Sequence, residues 1–256
     1  MYHLGDDMAV QLPCIERATR QVDKEHEWLT KLAPHLPLAV LVPLAKGVPG
    51  KGHPWHWSVV RWLPGENAMV ERITNLHRAA ANLARFIAAL QRIDPTGGPL
   101  PGEHDFRRGV PLAQRDRRTR EAIRALDGML DADAVTVAWE AALQASVWHR
   151  RPVWVHGDLS PVNLLVVRGW LSAVIHFGGL GVGDLACDLM IAWALFSGEK
   201  SRDVFRAALS VDEATWVRGR GWALSWALIF IPYYLDTSPV GVRAAWRTIH
   251  EVLADC

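Results

Sequence analysis

The sequence predicts an α+β protein in two unequal parts, a small sheet-and-helix region over residues 1–63 and a larger, mainly helical region over 64–256. Three observations carry this: short apolar runs punctuated by turn residues before Leu63, the Pro64-Gly65 break, and apolar residues at three-to-four spacing beyond it. Half of the 256 residues are hydrophobic, enough to bury a substantial core.

Tyr2 to Leu4 and Met8 to Leu12 flank a Gly5-Asp6-Asp7 turn and read as a hairpin closed by Pro13. From Ala18 to Leu32 a helical stripe carries Val22, Leu29 and Leu32, and Glu25 lies on it, or at its edge as an ordinary surface residue. Pro34 and Pro37 end that helix. Leu38 to Leu44 and the Trp-rich Trp55 to Leu63 read as strands around a Lys46 to Pro54 turn. Ile73, Leu76, Ala80, Leu83, Ile87, Leu90 and Ile93 then mark a long helix stopped by Asp94-Pro95. Further helices are expected from about Gln114 to Leu130, Ala134 to Arg150, Asp184 to Ser197 and through the C-terminal third, with strands at Val153 to Val155 and Leu164 to Ile175. A cleft between the two parts is the expected place for a ligand.

Composition excludes several classes. Lys and Arg total 28 against 27 acidic residues, so no global field favours nucleic acid or an anionic membrane as partner. Cys14, Cys187 and Cys256 are scattered, without metal-ligand spacing, which fits a reducing, cytoplasmic compartment. The first residues lack the basic and apolar regions of a signal peptide. The apolar run Trp222 to Leu235 is shorter than the roughly 20 residues of a membrane crossing, and with Pro232 inside reads as a buried helix. The Arg-rich run from Arg115 to Arg124 reads as a solvated helix face, and the tryptophans as packing residues.

The chemistry concentrates between Val155 and Gly183, in VHGDLSPVNLLVVRGWLSAVIHFGGLGVG. Asp158 and Asn163 stand in the D-L-x-x-x-N spacing of a kinase catalytic loop, where the aspartate takes the proton of the acceptor hydroxyl and the asparagine holds a metal ion. Asn163 also has a plain reading as a turn residue, and His156 reads as packing beneath the loop. A hairpin after Asn163 delivers His176-Phe177-Gly178, where a kinase has Asp-Phe-Gly.

These blocks, HGDLSPVNLLV and VIHFGGLGVGDLACDLMIAWAL, together with RGVPLAQRD, RWLPGE and LGDDMAVQLP, resemble the aminoglycoside phosphotransferase family over nearly the whole chain. The resemblance implies a bilobal protein-kinase-like fold with a truncated small N-terminal sheet lobe, residues 1–63, and a helical C-terminal lobe, residues 64–256, bearing the catalytic loop and acceptor site. It implies transfer of a phosphoryl group from ATP, with Mg2+, to a hydroxyl of a small molecule such as an aminoglycoside, a sugar or an amino alcohol. Asp158 would be the base and Asn163 a catalytic residue and metal ligand. The adenine would lie against the backbone of Arg61, Trp62 and Leu63, and Asp188 would brace the catalytic loop, while Asp184 caps the helix after it.

Three departures bear on activity. His176 stands where the family carries the metal-binding aspartate, and imidazole is a poor ligand for magnesium. It has three readings: a satisfied core histidine, an altered metal ligand, or an inactivating change. Gln11 occupies the place of a basic residue reaching the phosphates, where it would face Glu25 without a charge. The family's phosphate-covering strand and turn precede LGDD; here either they lie upstream of Met1 or the loop is gone. A catalytically impaired pseudokinase is therefore the alternative expectation; a metal-dependent hydrolase using His156, Asp158 and His176 is a weaker one. The transferase reading expects Asp158, Asn163 and His176 together at the floor of the cleft.

Overall fold

The computed structural model describes residues 1–256, the side chains of Arg17 and His104 excepted. Strands β1 (Tyr2–Leu4) and β2 (Met8–Gln11) form the expected hairpin, turning at Gly5 with φ 64°, and helix α1 (Thr19–Leu32) follows. Strands β3 (Ala39–Val40), β4 (Pro43–Gly47) and β5 (Trp57–Arg61) complete the small region, which is an antiparallel sheet of order β1-β2-β5-β4 backed by α1. The expected Leu38 to Leu44 strand is instead two pieces. Its first half, β3, leaves this sheet and pairs in parallel with a strand of the larger region. Residues 1–63 thus supply one strand to the sheet beneath the site.

Strand β6 (Glu66–Asn67) leads into the larger region, where helix α2 (Leu76–Arg92) is capped by Asn75, whose side chain accepts the Arg78 N–H at 2.9 Å. Its buried Ala80, Leu83, Ile87 and Leu90 follow the stripe read from the sequence. Two helices are shorter than their apolar patterns. Helix α3 (Asp116–Ala125) stops before Gly128, which is left-handed at φ 75°. Helix α4 (Ala132–Gln144) begins on the Asp131 cap and ends at extended Ala145, where the chain turns towards β7 (Val153–Val155).

Strands β8 (Leu164–Val167) and β9 (Trp170–Val174) form a tight hairpin whose two turn residues, Arg168 and Gly169, are both left-handed, the turn that matches strand twist. With β3 and β6 they make a sheet of order β3-β9-β8-β6, and β10 (Gly181–Gly183), which the sequence pattern did not reveal, pairs with β7. The expected Asp184 to Ser197 helix is a tight 3-10 segment, Leu185–Met190, followed by α5 (Ile191–Leu195).

Helices α6 (Glu199–Leu209), α7 (Glu213–Tyr234) and α8 (Pro239–Leu253) complete a bilobal, kinase-like α+β fold. Helix α7 is the central pillar: a Cβ at Gly219 would lie 2.6 Å from Cβ of Leu189, so only glycine lets the 3-10 segment approach this closely. Trp139, Trp154, Trp193 and Trp222 are all fully buried, in keeping with packing roles. Among the described residues no helix is long and apolar enough to cross a membrane.

One tether joins α1 to the larger region. Lys24, buried, donates from Nζ to the carbonyls of Gly178 and Leu180, each at 2.8 Å. Glu25 beside it is also buried, and no hydrogen bond among the described residues joins it to Gln11 as expected. Its charge is instead opposed by Lys24 and the Phe177 amide, while burial pushes its pKa up to about 7. Burial likewise pulls Lys24 down to about 8, against the fields of Asp105 and Glu25.

Because the folded pKa of Glu25 exceeds the unfolded value of 4.5, the folded state holds the proton longer as pH rises. Its contribution to stability is full below pH 4.5 and is lost as pH rises through about 7. Glu25→Gln should therefore gain stability relative to the parent between pH 5 and pH 7, by up to roughly 3 kcal/mol. Urea unfolding at those two pH values checks this; an unchanged difference at both would show that Glu25 carries no burial penalty.

Candidate active site

The candidate site is built on the turn between β7 and the short 3-10 segment Pro161–Asn163. Gly157 is left-handed at φ 79°, and a Cβ there would lie 2.1 Å from the carbonyl oxygen of Gly179, so this turn accepts no other residue without moving the loop it rests on. Asp188, fully buried within the 3-10 segment Leu185–Met190, receives the backbone N–H groups of His156 and Gly157, each at 2.8 Å. Burial pushes its pKa up to about 6, against the two amides and the field of Arg108, so it is anionic at neutral pH.

His156 also acts from within. Its Nδ1 accepts the Asp158 N–H at 3.2 Å and its Nε2 lies 3.1 Å from the carbonyl of Ile175, which fixes the neutral tautomer with the proton on Nε2. Burial lowers its pKa to about 4. Both ring nitrogens are committed, so His156 has no lone pair for a metal, and the hydrolase expectation loses its first ligand. Among the described residues there is no cluster of three or more His, Cys, Asp or Glu side chains able to hold a metal.

Asp158 projects from this turn with its side chain 29 % exposed. Asn163, buried, donates from Nδ2 to its backbone carbonyl at 2.7 Å and to Oδ2 at 3.1 Å, while Arg108 approaches Oδ1 from Nη2 at 3.3 Å. The carbonyl of Asn163 accepts the Ile175 N–H at 2.9 Å, so the β8–β9 hairpin returns the chain to the turn and sets His176 next to this group.

His176 itself is exposed, with a left-handed backbone at φ 63°, which overturns its reading as a core histidine: the residue that fills the core here is the neighbouring Phe177, stacked 4.5 Å from the His156 ring. The remaining donors suit a hard divalent cation poorly. Asn163 offers one amide oxygen, Asp158 a carboxylate already bonded on both oxygens, and His176 an imidazole, whereas magnesium asks for near-octahedral oxygen. The residues present do not fit a magnesium site of the expected kind.

In the small region, Gln11 is half-buried at the end of β2. Arg61 is exposed, and Trp62 stacks on His3 at 3.9 Å while donating its N–H to the Asp7 carbonyl at 2.8 Å. The Leu63 N–H has no backbone partner among the described residues. Arg115 corrects another expectation. It is not on a solvated face but lies over the Trp222 ring at 4.5 Å and donates from Nε to Ser225 at 2.9 Å. Asp184 does more than cap: besides accepting the Ala186 N–H it forms a two-point ion pair with buried Arg218, at 2.9 and 3.3 Å.

Sequence reasoning missed Arg108 and Lys24. Arg108 stands in the RGVPLAQRD block but at no diagnostic spacing, and Lys24 lies one residue from the stripe that drew attention to Glu25.

No curated protein matches the chain in sequence. Solved structures match its fold. The GDP complex of wild-type aminoglycoside 2'-phosphotransferase-IIIa superposes with a TM-score of 0.73 at 18 % identity, covering 99 % of this chain and 88 % of that one. An apoenzyme of macrolide 2'-phosphotransferase MphH from Brachybacterium faecium gives 0.62 at 22 % identity, covering 96 % and 84 %. The streptomycin-ATP ternary complex of APH(2")-IIa gives 0.58 at 19 % identity, covering 93 % and 84 %. Residues 1–222 match the phosphotransferase enzyme family, and the chain belongs to it.

Proposed function

We propose that the chain transfers the terminal phosphoryl group of a nucleoside triphosphate to a hydroxyl of a small molecule, with Asp158 as general base. The observation that carries this is the turn itself: Asp188 grips the His156 and Gly157 amides, and Asn163 holds the Asp158 carboxylate, so a half-exposed carboxylate is aimed from a rigid floor. The relatives in fold include enzymes solved with GDP or ATP and with antibiotics, which supports a nucleotide donor and a hydroxylated acceptor. Nothing among them favours the pseudokinase alternative. Residues 1–63 and 64–256 serve as the two walls, with the nucleotide base near Arg61, Trp62 and Leu63 and the acceptor beside Asp158.

In the reaction the acceptor O–H gives its proton to a carboxylate oxygen of Asp158 as that oxygen bonds to the terminal phosphorus. The bond between this phosphorus and the bridging oxygen breaks, and the nucleoside diphosphate leaves with the electron pair. Asn163 keeps the carboxylate facing the acceptor. His156 stays neutral beneath it and takes no proton, because both of its nitrogens are engaged. Since the donor set does not fit magnesium, no step here is routed through a metal.

Two outcomes test the reading. Asp158→Asn should lower turnover of nucleoside triphosphate in the presence of a panel of hydroxylated acceptors by about 100-fold or more, with ADP affinity in calorimetry unchanged, since the base serves the acceptor and not the diphosphate. A variant as active as the parent would exclude Asp158 as the base. His176→Asp should add magnesium-dependent nucleotide binding that the parent lacks, because it returns a hard anionic ligand to the end of the β8–β9 hairpin. Equal magnesium dependence in both proteins would mean that position 176 is not where the metal is lost.

A further inference from the structure

Arg108 is held in an unusual electrostatic position. It sits in a loop in which Phe106 and Arg107 are both left-handed, at φ 58° and 57°, a conformation that side-chain-bearing residues keep only where their surroundings impose it. The loop is pinned on both sides: the Arg107 N–H reaches the Gly102 carbonyl at 2.7 Å, the Arg108 N–H the Asp105 carbonyl at 3.2 Å, and the Gly109 carbonyl accepts the Asp184 N–H at 2.8 Å. The backbone therefore commits Arg108 to the underside of the catalytic turn.

Its guanidinium is nearly removed from water, with 11 % of the side chain exposed, yet its one hydrogen bond among the described residues is the 3.3 Å contact to Asp158. Among the described residues, Nε and Nη1 are buried without a partner. A charge-assisted pair of this kind normally closes to about 2.7–2.9 Å, so the contact is slack. A second cation lies close by: Arg115 is pushed down to about 9, first by burial and then by Arg108. The field of Arg108 reaches buried Asp188 as well, but no hydrogen bond among the described residues joins the two, so the guanidinium is short of acceptors while it lies beside another cation.

We infer that Arg108 and Asp158 form an oxyanion subsite, in which Asp158 holds the guanidinium while the cleft is empty and a phosphoryl group takes it over when it arrives. This rests on the cleft being a phosphoryl-transfer site. The incoming group brings more negative charge than a carboxylate and can accept from several N–H donors at once, so it satisfies a cation that Asp158 alone leaves short. Released from Arg108, the carboxylate is free to receive the acceptor proton. The subsite also supplies a cation near the transferred group in a chain that carries neutral Gln11 on the opposite wall.

The test needs no turnover. Inorganic phosphate is titrated into the full chain without nucleotide, and the arginine Nε–H signals are followed by 15N NMR, with that of Arg108 identified by its loss in Arg108→Lys. Asp158→Asn should bind phosphate about tenfold or more tightly than the parent, with the Arg108 signal moving, because the competing carboxylate is gone. Arg108→Met placed in that background should remove the gain, and Arg108→Lys should keep part of it. The subsite is excluded by any of three results: no gain in Asp158→Asn, a gain that survives Arg108→Met, or an equal gain for acetate, which would mark a carboxylate site. If Arg108→Met does not fold, the comparison of parent with Asp158→Asn and the movement of the Arg108 signal still decide. Failure here leaves the role of Asp158 as base untouched, and loss of that role in turnover assays leaves the phosphate result standing.

Discussion

The site depends on one buried carboxylate. Asp188 is fully buried, and its two oxygens receive the consecutive amides of His156 and Gly157; this pair of bonds fixes the turn. Everything nearer the ligand follows from that turn. His156 can place Nδ1 under the Asp158 amide only if its own backbone is held, Asn163 can reach the Asp158 side chain only across the same turn, and the Ile175 amide meets Asn163 only once the β8–β9 hairpin has folded back. A carboxylate without such donors would have been neutralised by burial; here it remains an acceptor at neutral pH because the bonds offset much of the desolvation.

A second constraint is the distribution of positive charge. In the family resemblance the cation of the small sheet meets Glu25, but β2 presents neutral Gln11 and Glu25 finds its field in Lys24 on the same helix. Lys24 spends two of its three donors on the carbonyls of Gly178 and Leu180, so α1 is tied to the segment that follows β9 through backbone acceptors. The result is a link between the two regions that does not pass through the strand position. It also leaves Arg108 as the cation in direct contact with Asp158.

Much of this was legible in the sequence, and the reasons differ by element. The hairpins were readable because turn chemistry is local: Gly5-Asp6-Asp7 and Arg168-Gly169 sit between alternating apolar runs. The α1 and α2 stripes were readable because period and burial agree. Helix ends were not, since α3 and α4 stop where a left-handed glycine or an extended residue is imposed by the surrounding fold. The Asp158 and Asn163 pairing was carried by spacing. Arg108 could not be, because the contact between residues 50 apart exists only after the loop before α3 has docked on the turn. For His176, where a core place was one of three readings, β9 has just ended, and the left-handed backbone there leaves the imidazole in water with Phe177 buried beside it.

That last point separates the parts of the site that must be kept for folding from those that can change. Asp188, His156, Gly157 and Phe177 are buried and bonded or packed to one another, so a substitution at any of them would create an unpaired polar group, a clash or a cavity. His176 is exposed after the end of one strand and Gln11 half-buried at the end of another. Exchanging a carboxylate or a guanidinium for an imidazole or an amide at those two places alters charge in the cleft at little cost to the fold. The architecture therefore fixes the turn that carries Asp158 while leaving positions 176 and 11 open to replacement.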